Sequence, residues 1–87
     1  MKSLSIKIMN NNLKFKKMKE YRVNKNTNNN PGGHNEVHNQ DCKYYDLISS
    51  YEELGYHPNC HTAVADAKRK GYSKADGCKE CSNECHN

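Results

Sequence analysis

Gly77-Cys78-Lys79-Glu80-Cys81 closes a pattern that Val37-His38-Asn39-Gln40-Asp41-Cys42 opens forty residues earlier. Together they read His-x3-Cys and Cys-x2-Cys, two chelating pairs drawn from distant segments. A tetrahedral zinc ion needs such a set: it takes thiolate sulfur at ~2.3 Å and imidazole nitrogen at ~2.0 Å, and four protein ligands close the site as a structural one. The turn Asp76-Gly77 ahead of Cys78 lets backbone N–H groups point at the sulfurs. The spacing therefore predicts one structural Zn2+ ion on His38, Cys42, Cys78 and Cys81.

Cys60 and Cys85 are left over, and their role stays open at this level. They can pair as a disulfide, pack as small buried groups, or supply an alternative ligand. Cys85 lies four residues after Cys81, so on a helix both would face the same way. A Cys42/Cys78/Cys81/Cys85 set with His38 outside thus competes with the first. His34, His57, His61 and His86 have weaker claims, because lone surface histidines are the norm.

Composition explains why a metal is needed. The chain has 87 residues, 33% hydrophobic, no Trp, and Phe15 as its one Phe; the mean hydropathy is −1.21. So short and polar a chain buries little apolar surface, and small domains in that position rely on metals or disulfides. The five cysteines all fall from Cys42 onward. Being odd in number, they would leave one thiol stranded in a full disulfide framework. MKSLSIKIM is too short and too interrupted for a signal h-region, and no apolar stretch is long enough to span a bilayer. A reducing cytoplasm is the default location, and there cysteine clusters read as metal sites.

Charge divides the chain. Residues 1–33 carry eight Lys or Arg against Glu20 alone, whereas residues 34–87 carry six basic and nine acidic groups. The first segment is also rich in Asn, as in Asn10-Asn11-Asn12 and Asn28-Asn29-Asn30. Residues 1–19 therefore read as a disordered basic arm ahead of a domain over 20–87. Two explanations stand side by side: an AT-rich upstream region read through to a start at Met18, or a cationic arm touching nucleic acid.

Within the domain, Tyr21-Arg22-Val23-Asn24 alternates as a strand, residues 28–33 form a turn, and Glu36-Val37-His38 returns as the second strand of a hairpin. Tyr51 to Tyr56 reads as a third strand, with Tyr51 and Leu54 or Tyr56 inward. The clearest helix runs from Cys60 to Lys70, with Asn59 as N-cap, Gly71 at C′, cations in its last turn, and Cys60, Ala63, Val64 and Ala67 on one face. Tyr72 folds back onto that face, and Lys79 to Cys85 is expected as a short final helix. The expected fold is α+β: a hairpin or three-stranded antiparallel sheet with one main helix, stabilised by zinc.

Catalysis finds little support. A catalytic zinc keeps an open position and a nearby carboxylate; Glu80 and Glu84 read as an exposed helix face. No βαβ pattern accompanies Cys-x2-Cys, so a thioredoxin-like role is not indicated.

The segment Glu36–Cys81 resembles the Ada-type zinc-binding module, known from a bacterial DNA-repair methyltransferase and from related bacterial tails. The matching residues are His38 and Cys42, the helix segment Ala63 to Ala67, Gly71-Tyr72, and Cys78 with Cys81. The resemblance covers about half the chain and implies a small α/β fold around a structural zinc. In the repair protein four cysteines bind the metal and the first accepts a methyl group; His38 stands at that position here, so methyl transfer is not carried over. The expectation is a non-catalytic monomer with no membrane role, its partner a nucleic acid. The alternatives are a protein partner met through Tyr44, Tyr45, Tyr51 and Tyr56, or a disulfide-stabilised secreted peptide.

Overall fold

The computed structural model describes residues 18–27 and 32–87. Among the described residues the elements in chain order are β1 (Lys19–Asn24), β2 (Asn35–Asn39), β3 (Tyr51–His57), α1 (Cys60–Arg69), β4 (Ala75–Gly77) and a 3-10 turn over Asn83–Cys85. The α+β class with one main helix is the one expected. The arm expected over the first residues lies outside the described residues up to position 17, as does the turn cluster at 28–31; β1 itself starts at Lys19.

The sheet has four strands in the order β3-β1-β2-β4, not two or three. β1 is central and antiparallel to both neighbours, pairing Tyr21 with Asn39 and Val23 with Val37 on one side and Lys19 with His57 on the other. The fourth strand is where a turn was expected: Ala75-Asp76-Gly77 runs parallel to β2, register Asn35 to Ala75 and Val37 to Gly77. A parallel neighbour needs a long crossover, and β3 with α1 supplies it. Three residues of Ala-Asp-Gly carry no strand signal of their own; the free edge of β2 imposes the conformation.

Successive residues on a strand face opposite sides of the sheet, and here each side has its own layer. Tyr21, Val23, Val37 and Leu54 meet Cys60, Ala63 and Ala67 of α1 together with Ala75, and Val64 and Tyr72 pack against them. The small residues on the helix let it approach the strands closely. Its ends are capped as expected: Asn59 Oδ1 accepts from Thr62 N–H at 3.2 Å, and Gly71 takes φ of 107°. The opposite side of β1 and β2 holds Arg22 and His38, register partners, beneath a second cluster of Cys42, Tyr45 and Cys78.

The inward residue on β3 is Leu54, 6% exposed, whereas Tyr51 and Tyr56 are 37% and 62% exposed. The cause is a bulge. Tyr21 pairs with Gly55 and Arg22 with Glu53, leaving Leu54 as the extra residue, and Gly55 takes φ of 80°. An inserted residue reverses the alternation beyond it, so Tyr56 turns outward although it is two residues from Leu54.

Nor is there a final helix from Lys79 to Cys85. Ser82 N–H donates to Cys78 O at 2.8 Å, closing one turn, and the chain then tightens into the 3-10 turn. Cys81 and Cys85 consequently do not share a helix face. The C-terminus is held by the buried Asp76 carboxylate, which accepts from Asn87 N–H at 3.1 Å and Asn87 Nδ2 at 3.0 Å and lies 3.2 Å from His86 Nδ1.

Candidate metal centre

His38 leaves β2 at its penultimate position, and the chain then turns so that Cys42 comes back beneath it. Asn39 builds that turn: Cys42 N–H donates to Asn39 O at 3.0 Å, and Asp41 N–H donates to Asn39 Oδ1 at 2.8 Å. The Asn39 side chain also donates through Nδ2 to Cys81 O at 3.1 Å, stitching the two chelating segments together. The spacing of the chelating pairs does not single out Asn39; its one signal in the sequence is a turn-forming Asn beside a candidate ligand. Cys78 is delivered by β4, with Cys78 N–H donating to Val37 O at 3.0 Å.

The outcome is a buried group in which one donor atom each of His38, Cys42, Cys78 and Cys81 lies within 4.8 Å of all the others. These four donors can hold a metal ion. His38 Nδ1 is 3.5 Å from Cys42 Sγ, and Cys42 Sγ is 3.9 Å from Cys78 Sγ. Two backbone N–H groups aim at sulfur: Asn39 to Cys81 Sγ at 3.5 Å and Glu80 to Cys78 Sγ at 3.4 Å. The outer nitrogen of His38 faces Glu36 Oε1 at 3.8 Å, as ligating imidazoles do when a carboxylate fixes their orientation.

The thiols are unequal. A hydrogen bond from the Cys78 thiol holds Cys81 below the usual thiol range, and the same bond together with burial pushes Cys78 up to about 12. Burial raises Cys42 as well. Three thiolates so close repel one another unless a cation sits among them. Bound metal is expected to protect Cys42, Cys78 and Cys81 from limiting iodoacetamide, because the free thiolate is the nucleophile. As chelator is titrated into the folded protein, Cys81, the most exposed of the three, should be labelled first, and peptide mass mapping checks the order.

Cys60 and Cys85 are joined as a disulfide across 25 residues of sequence, tying the start of α1 to the 3-10 turn. That removes Cys85 from the competing ligand set. Cys42, Cys78 and Cys81 are free thiols. The remaining histidines stand elsewhere. His57 donates through Nε2 to Leu54 O at 2.9 Å, His86 lies against Gly77 O and Asp76, His34 is 3.8 Å from Asp76, and His61 sits beside Cys85.

Tyr45, a candidate partner-binding tyrosine by sequence, is instead buried against Cys42 and Cys78. Its ring and that of Tyr51 sandwich the Arg22 guanidinium, each centroid 4.0 Å away, while Arg22 Nη1 donates to Tyr45 O at 2.9 Å. Among the described residues, Tyr45 Oη is the buried side-chain polar atom with no hydrogen-bond partner. Tyr45→Phe keeps the sandwich and removes an unsatisfied group. Its stability in urea should equal or exceed the parent's by up to about 1 kcal/mol, and a clear loss would show that the hydroxyl has a partner.

No family model matches the chain, and neither a curated protein nor a solved structure does. The functional reading rests on the centre itself.

Proposed function

We propose that the chain is a small zinc-stabilised binding module in which one Zn2+ ion on His38, Cys42, Cys78 and Cys81 is structural and not catalytic. The observation that carries the reading is the spacing of the donors. A tetrahedral zinc with bonds near ~2.3 Å to sulfur and ~2.0 Å to nitrogen has S–S edges of about 3.8 Å and S–N edges of about 3.5 Å. The Cys42–Cys78 and His38–Cys42 separations are 3.9 and 3.5 Å. Four protein donors leave no open position, and three thiolates make the metal electron-rich, which suits a structural role. The arrangement is compatible with an Ada-type module, and the order of His38, Cys42, helix, Gly71-Tyr72 and Cys78, Cys81 along the chain supports that kinship.

Intact mass under native and denaturing conditions, with and without chelator, tests the reading. One zinc per chain and one disulfide are expected; a folded chain free of metal would overturn it. For the partner, the basic composition of residues 1–17 supports a polyanion. Nucleic-acid affinity should then fall steeply with salt and disappear when those residues are removed. A protein partner is favoured by one specific observation: Tyr56 and Leu47 stand 62% and 73% exposed. In that case Tyr56→Ala should abolish capture without unfolding the domain. The Cys60–Cys85 disulfide supports an oxidising compartment over the reducing default.

A further inference from the structure

We propose that Cys60, His61 and Cys85 form a second metal site, closed while the disulfide is intact and opened to a thiophilic divalent cation, zinc in the first instance, by reduction. The site shares no ligand with the first centre. Its three donor atoms already lie within 4.8 Å of one another. His61 Nδ1 is 3.5 Å from Cys85 Sγ, the S–N edge of a tetrahedral zinc site. The other nitrogen of His61 faces Glu84 Oε2 at 4.0 Å, so a carboxylate stands where ligating histidines commonly have one.

The surroundings fit the thiolate form. Cys60 is the first residue of α1 after its Asn59 cap, and the first turn holds no acidic residue. A thiolate there meets the positive end of the helix dipole. An open cavity of about 250 Å³, bordered by His61, Glu84 and Cys85, gives an ion and its remaining water access from solvent.

The chemistry balances with a dithiol as reductant. Its thiolate attacks Sγ of Cys85, the more exposed half of the bridge; the S–S bond breaks, and Cys60 leaves as a thiolate that takes up a proton. The second thiol of the reductant then closes its own disulfide and releases Cys85 as a thiol. Two electrons and two protons have passed to the protein. The cation displaces both thiol protons to solvent and takes neutral His61 as third ligand.

The test compares zinc bound per full-length chain before and after dithiol reduction, with thiols counted in parallel. Reduction should add one equivalent, and reoxidation should release it. The increment should vanish in the Cys60→Ser/Cys85→Ser double variant, and His61→Ala should weaken it at least ~10-fold. Cobalt in place of zinc gives a second readout, since new thiolate charge-transfer bands should appear only on reduction. The increment is read against the oxidised protein's own zinc content. Failure of the four-donor centre would lower that baseline without touching the increment. An unchanged zinc content despite two new thiols overturns the proposal, as does an increment that survives in the double variant.

Discussion

Cys78→Ser is expected to lose the metal and, with it, the cooperative fold. Cys78 is 2% exposed, directly follows the strand that pairs with β2, and packs with Cys42 and Cys81. Structural zinc contributes roughly 10–16 kcal/mol in small peptide sites at neutral pH, against a total stability of about 5–15 kcal/mol for an ordinary domain. The apolar layer under α1 consists largely of Val and Ala and cannot make up that difference. The disulfide across 25 residues constrains the unfolded chain by about 3–4 kcal/mol, which is too little to replace the ion. Far-UV circular dichroism of the variant, and of the parent with excess chelator, should show the sheet signal lost in both. Acidification should act in the same sense, because thiols must lose protons to bind and falling pH returns them. A variant that keeps its zinc and its melting transition would refute the ligand assignment.

Gly77→Ala should also be strongly destabilising, for a steric reason. A Cβ at that position would collide with the carbonyl oxygen of Ser82 and lie 2.6 Å from Cys85 Cβ and 2.9 Å from the Cys85 carbonyl carbon. None of these atoms belongs to a flexible side-chain end. Ser82 is buried, and Cys85 is anchored to Cys60. Overpacking a core by one methyl costs about 1–3 kcal/mol where neighbours can shift, and here the cost should reach or exceed the top of that range. Gly55→Ala is the comparator: it meets open space at φ of 80° and should cost about 1–2 kcal/mol. Urea denaturation ranks the two, and Gly55→Ala proving the costlier would show that the C-terminal turn is not docked as described.

Local chemistry made much of this protein legible in its sequence. Asn59 and Gly71 bracket α1 because capping depends on a few neighbouring residues. Tyr21 and Val23 announce β1 because alternation is local too. The metal-ligand candidates were legible for the same reason: a chelating pair is defined by short spacing, and the tertiary fold brings both pairs to one point.

The failures share a different cause. β4 exists because β2 offers an unpaired edge, which Ala75-Asp76-Gly77 alone does not reveal. Tyr56 faces outward because of a bulge opposite Tyr21, a property of two strands together. Tyr45 is buried because the Cys42 turn folds it under Arg22. The final helix is missing because Cys81 is drawn to the side chains of His38, Cys42 and Cys78 and Cys85 to Cys60, and seven residues of helix cannot serve both.

By itself, then, the sequence determined the helix and its caps, the hairpin strands and the four candidate ligands, since each follows from contacts within a few residues. Tertiary structure alone decided that Cys60 and Cys85 join, that the sheet gains a parallel fourth strand, and that Asn39 and Gly77 hold the halves of the centre in register. Those outcomes depend on which distant segments meet, and residue type sets that only through the packing of the whole chain.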